Sequence, residues 1–482
     1  MSFGRRAFAL IVFVLFAAGC GPGESSESES ILPDEIVRAA DTLRDAALRS
    51  TTGYTTLGRL TDLHGHRLSG SQRLEDAIDW LAGEMTSMGF QNVRKDPVQV
   101  PTWIRGEESL TLLEPMRLDI PMLGLGMSVG TPAGGVTGEV VVVDDFDQLE
   151  SMSVSDVSGR IVLFNAPYVG YGSTVGYRVQ GAVAAAQRGA IAALVRSIGP
   201  PGHRTPHTGT MRYRDDVPRI PGAAIATEDA DMFARLARDG VRSVVRLEMD
   251  ARTEPDRLSH NLIAEVVGRE KPEEIIVIGG HIDSWDVGTG AQDDGVGCMI
   301  AVEAARLMIE TGLIPRRTVR VVLWTNEENG LAGARAYHDD HADELDRHVA
   351  AIESDSGNGL VQGFRFDWRP AVMGFEDAEA GGEAFLAGRR EKMEMAASIA
   401  DLLASTGADS VFAAGSGADV GPLAASGVPA LGLHHDSTEY FVIHHTHADT
   451  FDKIVLEDMQ KNTAAMAVMA YVLAEMDGTL RP

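Results

Sequence analysis

The sequence predicts an α/β fold, a mostly parallel, mixed central sheet flanked by helices and carrying an inserted domain. Alternation is the first observation. From residue 261 onward the apolar stretches EEIIVIGG, TVRVVLW, HVAAIES and VPALGL are separated by helical patterns at 294–310 and after Gly333, the order that feeds parallel strands through helical crossovers. The second observation is that these strands are apolar at nearly every position, as expected of a sheet covered on both faces. The third is a change of texture between 120 and 249, where Gly-rich strands such as GEVVVVDDF and GRIVLFNAP precede the Ala-rich helix GAVAAAQRGA and a further strand, IAALVRS. That block reads as a domain inserted between the two parts of a main domain, 34–119 and 250–482. Within the first part, 34–50 and 71–89 read as amphipathic helices, the second with Leu74, Ile78, Leu81, Met85 and Met88 on one face. An Ala- and Met-rich helix over 457–476 closes the chain and is expected to dock on the sheet. The stretch 364–382 has no regular pattern.

A chain of 482 residues exceeds one ordinary core, which agrees with more than one domain. Its 42 Lys and Arg stand against 70 Asp and Glu, a net charge of -28 that repels phosphate backbones and argues against nucleic acid as a partner. The acidic excess is spread along the chain and reads as a solubility device. At the N-terminus, Arg5 and Arg6 precede an apolar run over 7–18, then small residues and Cys20, the pattern of a secretory leader. The stretch LFAAGC resembles a bacterial lipobox, with Ala17 where Leu is usual, so residues 1–20 are expected to be a signal peptide and Cys20 a lipidation site. GPGESSESES then forms part of a flexible tether over 21–33. The expected location is extracytoplasmic, periplasmic or cell-surface, with membrane contact only through the lipid. Cys298 would be the one cysteine left in the mature body, so no intrachain disulfide is expected; it reads as a small buried apolar residue.

The chemistry-bearing residues follow the strands. GGHIDSWDVG leaves the first, TNEENG the second, SDSG the third, and HHTHADT follows the last after a short loop. Ligands of open α/β sheets gather at the carboxyl ends of strands, so His281, Asp283, Glu327, Glu328 and Asp355 are expected to share one crevice. Two imidazoles with three carboxylates form a mixed nitrogen and oxygen set suited to zinc, with cobalt or manganese as substitutes. Five ligands exceed one tetrahedron. If Asp293 bridges two ions, each gains terminal ligands and keeps an open position for water, as a catalytic site requires. Adjacent Glu327 and Glu328 need different tasks: one binds metal, and Glu327 is left to take a proton from a metal-bridging water and return it to a leaving amine. Asp283 is placed to orient the His281 imidazole.

Taken together, GGHIDSWDVG, GAQDDGVG, NEENG, ESDSG and HHTHADT resemble the co-catalytic zinc aminopeptidase/carboxypeptidase family, and most closely its carboxypeptidase Q-like members, from about residue 34 to the end. The resemblance includes GTPAGG, YRVQGAVAAA and PHTGT, which are similar to that branch's protease-associated domain. It implies a zinc-exopeptidase-like fold, two zinc ions per chain, and hydrolysis of dipeptides or short peptides with free termini. His281, Asp293 and Asp355 would hold one ion, Asp293, Glu328 and His445 the other, and Glu327 would be the base. His444 and His447 would be neighbours of His445, and Asp294 would start the helix after Asp293.

Other candidates carry two readings each. Tyr440 either donates to an oxyanion or packs in the core. Asp419 in GSGADVGPL reads as a helix cap, with bracing of the site as the second choice. His207 and Tyr213 read as surface loop residues that could instead reach a substrate terminus. The competing functions are an aminopeptidase acting on longer peptides, a single-zinc glutaminyl cyclase, and a binding relative without chemistry; the full ligand set argues against the last two. Peptide is the expected partner, and a homodimer is compatible with the sequence.

Overall fold

The computed structural model describes residues 32–367 and 382–481. The leader, Cys20 and the tether up to residue 31 lie outside the described residues, as does 368–381 of the irregular stretch; its beginning is the end of a regular strand. In chain order the strands are β1 (Gln91–Ile104), β2 (Glu108–Glu114), β3 (Leu118–Ile120), β4 (Met122–Gly124), β5 (Val136–Val143), β6 (Ile161–Phe164), β7 (Ala192–Arg196), β8 (Gly222–Ile225), β9 (Val244–Met249), β10 (Arg252–Val266), β11 (Lys271–His281), β12 (Arg317–Trp324), β13 (His348–Glu353), β14 (Val361–Asp367), β15 (Ser410–Ala413) and β16 (Ala430–His435).

They form two eight-stranded sheets. The first has the order β1-β10-β12-β11-β13-β16-β14-β15. Its central run β12-β11-β13-β16 is parallel throughout, while β1, β10 and the β14/β16 pair run antiparallel at the flanks. The mixed α/β architecture expected from the sequence is therefore present. The near-continuous apolar strands also have their expected cause. Ile276, Ile278, Val319 and Val321 face one layer of helices, among them Asp34–Ala47, Gln72–Ser87, Val296–Thr311 and Leu456–Glu475. Their neighbours Ile275, Val277, Val322 and Trp324 face the other side, against Ala334, Tyr337, Val420 and Leu423. Alternate residues point to opposite faces, so covering both faces removes the polar alternation of a half-exposed sheet.

The helices follow their sequence signals. Asp34–Ala47 buries Ile36, Ala39, Ala40, Leu43 and Ala47 along one stripe, with acidic residues in its first turn and Arg44 in its last, as the helix dipole favours. Ser71 caps Gln72–Ser87 by accepting from the Leu74 amide at 3.3 Å. Val296–Thr311 is stopped by Gly312 in the left-handed region.

The second sheet, β3-β2-β9-β5-β6-β7-β8-β4, draws all its strands from residues 108–249 and has its own buried clusters around Leu163, Leu194, Val245 and Phe164, Val195. Residues 32–482 nonetheless form one compact unit. Among the described residues no helix is long and apolar enough to cross a membrane.

At the amino end of β13, far from the strand exits that matter below, His348 is buried, with Nδ1 2.9 Å from the Glu344 carbonyl oxygen and Nε2 2.9 Å from the Tyr337 hydroxyl. Burial, with the nearby Arg320 charge, pushes its pKa down to about 4. The unfolded chain therefore binds this proton more readily than the folded one: stability from this group is complete above its ordinary value of 6.5 and is lost as pH falls toward about 4. Urea denaturation across that range should show the acid limb, and His348→Gln should remove about 3 kcal/mol of its pH dependence.

Candidate metal centre

All the chemistry sits at the carboxyl ends of the parallel strands. His281 is the last residue of β11, Glu327 and Glu328 follow β12, Asp355 follows β13, and His445 lies ten residues past the end of β16. Asp293 comes from the turn that leads into helix Val296–Thr311. The structure brings these residues together. His281 Nε2 lies 3.3 Å from Asp293 Oδ1 and 3.6 Å from Asp355 Oδ1. His445 Nε2 lies 3.2 Å from Asp293 Oδ2 and 3.0 Å from Glu328 Oε2. His281, Asp293 and Asp355 each offer a ligand atom within 4.8 Å of the others, as do Asp293, His444 and His445, so Asp293 is common to both groups.

Local geometry explains how each side chain arrives. No side chain fits at Gly280, because a Cβ there would stand 2.2 Å from Asp294 Oδ2. That carboxylate accepts from the His281 amide at 3.1 Å and from the Gly297 amide at 3.1 Å, so Asp294 starts the helix and Asp293 is left to face the imidazoles. Asn326 takes a φ of 67° in the turn after β12, a left-handed conformation that Asn tolerates better than most residues. The following amides of Glu327 and Glu328 then donate to the Asp283 carboxylate at 3.0 and 3.4 Å. The Asp283 backbone carbonyl lies 3.0 Å from His281 Nδ1, while its carboxylate is 3.7 Å away. The carboxylate is occupied instead by the Glu327 turn and by the Ser69 hydroxyl at 3.0 Å.

His445 is held from the second sheet's side of the molecule. The Thr208 amide donates to the His445 carbonyl at 3.0 Å, and His445 Nδ1 faces the Thr208 carbonyl at 3.3 Å with the Arg178 guanidinium 3.4 Å away. Its φ of 61° is a strained value that this pairing maintains. His444 stacks on His445 at 3.5 Å between ring centroids, and its Nε2 is 3.8 Å from Asp293 Oδ2. His447 is exposed, near Arg105 and Asp286.

Electrostatics ask for cations here. Burial alone would lower His281, but Asp283, Asp293 and Asp355 push it well above its usual value. Burial likewise opposes the charged form of His445, yet Glu328 and Asp293 raise it to about 10. Burial, together with Asp355, Glu328 and Asp283, pushes the Glu327 carboxyl well above the ordinary range, with His281 pulling the other way. Meanwhile His281 Nε2, Asp293 Oδ2 and Glu328 Oε1 are buried without any hydrogen-bond partner. Buried donors left unpaired by protein are what a bound divalent ion would satisfy, and imidazole with carboxylate suits zinc.

Several functional residues were not legible beforehand. Arg67 is fully buried and clamps the 282–290 loop through Nε to the Ile282 carbonyl at 2.7 Å, Nη1 to the Thr289 carbonyl at 2.8 Å and Nη2 to the Gly290 carbonyl at 2.8 Å. Asp449, inside the HHTHADT motif, accepts from the amides of Ala291, Gln292 and Asp293 at 3.0, 2.7 and 3.2 Å and so fixes the Asp293 turn. Glu353 accepts from the amides of Ala418, Asp419 and Val420 at 3.2, 3.3 and 2.9 Å. The capping reading of Asp419 is corrected: the helix Gly421–Ala425 takes no side-chain cap, and both Asp419 carboxylate oxygens are buried without a hydrogen-bond partner. Two more readings change. His207 is buried rather than exposed, its pKa pushed down to about 3 by burial and by His445, and the Tyr213 hydroxyl is tied up by the Ile220 carbonyl at 2.6 Å and the Val129 amide at 3.1 Å. Tyr440 is buried, its ring 5.1 Å from that of His444, and burial with the Asp293 and Asp355 charges pushes its hydroxyl well above its usual pKa. Cys298 is buried as expected, and its thiol donates to the His281 carbonyl at 3.1 Å.

A parallel sheet whose strand exits deliver imidazoles and carboxylates around two groups sharing one aspartate defines a protein of the metallohydrolase type. Comparison with known proteins makes this specific. Peptidase family M28 matches residues 261–470. Mouse carboxypeptidase Q is 40% identical over 487 aligned positions, covering 99% of this chain and 99% of the mouse protein. The crystal structure of a Peptidase M28 precursor from Shewanella amazonensis SB2B superposes with a TM-score of 0.85 at 36% identity, over 93% of this chain and 99% of that one. An aminopeptidase from Aneurinibacillus sp. strain AM-1 shares the fold, with a TM-score of 0.61 at 22% identity over 92% of this chain and 97% of its own. The chain belongs to peptidase family M28 and is a carboxypeptidase Q-like member of it. That membership bears out the expectation of a peptidase.

Removing the Asp449 acceptor should loosen the turn under Asp293. Asp449→Ala leaves three buried amides unpaired and should cost about 2–4 kcal/mol in urea unfolding, whereas Asp449→Asn, which keeps an acceptor, should cost less. Equal losses for the two variants would contradict this role.

Proposed function

We propose that the chain is a zinc-dependent exopeptidase that takes two zinc ions and hydrolyses dipeptides or short peptides. The observation that carries the reading is the convergence of three buried ligand-type atoms that have no hydrogen-bond partner, His281 Nε2, Asp293 Oδ2 and Glu328 Oε1, beside Glu327, in a chain closely similar to carboxypeptidase Q. His281, Asp293 and Asp355 would hold one ion, and Asp293, Glu328 and His445 the other. When bound, the pair of ions supplies Lewis-acid polarisation of the scissile carbonyl and makes water acidic enough to lose a proton near neutral pH. Glu327 accepts that proton as water attacks, and returns it to the amine that leaves as the C–N bond breaks. Asp283 serves by holding the Glu327 amide and, through its carbonyl, the tautomer of His281. The Tyr440 hydroxyl donates to the developing oxyanion, a role supported by its buried place among the Asp293, Asp355 and Glu328 charges.

The block over 120–249 is read as a protease-associated domain, supported by the likeness of GTPAGG, YRVQGAVAAA and PHTGT to that domain and by the separate sheet the block helps to form. The leader and Cys20 support secretion with a lipid anchor.

Glu327→Gln should retain bound zinc and lose turnover by about 10²–10⁴-fold on an unsubstituted dipeptide. Metal analysis alongside the assay checks this, and loss of zinc with retained turnover would contradict the role. Activity on long peptides with none on dipeptides would shift the assignment to an aminopeptidase of longer substrates. A Cys20→Ala variant expressed in a bacterial host should move from the membrane fraction to the soluble fraction; persistence with membranes removes support for the anchor.

A further inference from the structure

The two imidazoles of the metal centre are braced by different parts of the chain. His281 Nδ1 meets the carbonyl of Asp283, two residues on, so its ring is set within one strand exit. His445 Nδ1 meets the carbonyl of Thr208 at 3.3 Å, 237 positions away in the block that carries the second sheet. A ring nitrogen facing a main-chain carbonyl fixes the imidazole's orientation and leaves the other nitrogen to a metal. The group of His281, Asp293 and Asp355 is therefore braced from within the first sheet's part of the chain, whereas the group of Asp293, Glu328 and His445 takes its brace from outside it.

Beside that second brace stands a guanidinium without a counter-charge. Arg178, on the helix Gly176–Gln187, is only 6% exposed. Its Nη1 donates to the Thr208 carbonyl at 3.5 Å and lies 3.4 Å from His445 Nδ1, and its Nη2 donates to the Tyr171 hydroxyl at 2.8 Å. The chain has 70 Asp and Glu, yet among the described residues Arg178 forms no ion pair, and its Nε is buried without a partner. Burying such a charge is costly. Room for it is made by Gly209, where a Cβ would stand 2.3 Å from Nη1 and 2.4 Å from Cζ. Gly209 directly follows Thr208, so the segment that braces His445 is shaped at the same point to admit the guanidinium.

A carbonyl oxygen has two lone pairs to share. That of Thr208 accepts from Arg178 and faces His445, so the guanidinium holds the carbonyl where the ring meets it. Around the ring lie His444, stacked at 3.5 Å, and Trp285 at 5.6 Å between centroids. So enclosed, the ring sends Nε2 toward Glu328 Oε2 at 3.0 Å and Asp293 Oδ2 at 3.2 Å.

We propose that Arg178 is a positioning residue of the metal centre: through the Thr208 carbonyl it sets the His445 ring, and so governs filling of the ion site of Asp293, Glu328 and His445 while leaving that of His281, Asp293 and Asp355 nearly unaffected. The role rests on the two-ion reading above and deepens it, making the two sites unequal and the second sheet's block a part of one of them. Arg178 binds no ion itself, since a guanidinium only donates.

The test is zinc binding by the metal-stripped full chain, titrated against a competing chelator and checked by metal analysis. Wild type should fill two sites. Arg178→Met should raise the Kd of one site by about 10- to 100-fold and leave the other nearly unchanged. Arg178→Lys, which keeps the charge without the fork, should recover part of the loss. Tyr171→Phe, which removes only the anchor of Nη2, should weaken the same site by less. Arg178→Met added to His445→Ala should cost no further zinc, because the ring it positions is gone. Equal weakening of both sites, no weakening of either, or a further loss on top of His445→Ala would overturn the role. If Arg178→Met fails to fold in urea titration, Tyr171→Phe decides: weakening confined to one site supports the role, and unchanged or equally weakened binding overturns it. Wild type that fills only one site, or none, contradicts the two-ion reading itself.

Discussion

The constraint on which the structure turns is the burial of several carboxylates within a few ångströms of one another. Asp293, Glu328 and Asp355 all press toward His281 and His445, at separations of 3.0–3.6 Å. Two like charges 4 Å apart at an effective dielectric of about 20 repel by roughly 4 kcal/mol, so such a cluster persists only where positive charge is supplied. The imidazoles meet part of that demand by holding protons, which is why both are pushed upward despite burial. Divalent ions meet it more fully.

The rest of the fold keeps these groups from escaping their repulsion. The parallel core of the sheet brings residues distant in sequence to one rim. Beneath them a layer of main-chain clamps sets their angles: Asp449 under the Asp293 turn, Arg67 around the loop after His281, Asp283 under Glu327, and Glu353 across the amides at 418–420. Each clamp is an ionisable side chain bound to backbone groups, so its polar atoms are satisfied by main chain.

The sequence revealed the ligands better than their supports, for a physical reason. His281, Glu328 and Asp355 interrupt or follow strongly apolar strands, so their polarity stands out against a core pattern, and their place at strand ends follows from the topology. Arg67, Thr208 and Asp449 act on backbone groups 156–237 positions away, and backbone groups leave no mark on residue identity. Asp419 illustrates the same limit: a carboxylate before a helix looks like a cap, but the helix Gly421–Ala425 takes no side-chain cap, and Glu353 from a different strand accepts from the Asp419 and Val420 amides. The second sheet was visible as a change in texture. What texture could not show is that its loops reach the metal centre.

That reach has a consequence for how the molecule comes into being. Thr208 grips His445 twice, its amide donating to the His445 carbonyl and its own carbonyl facing the His445 imidazole, across 237 positions of chain. A nascent chain leaving the ribosome holds the grip long before it holds the residue to be gripped. Until the final quarter of the polypeptide has emerged and folded back, the hydrolytic centre lacks one of its imidazoles. Two segments far apart in the chain must therefore both be in place before that side of the site is built.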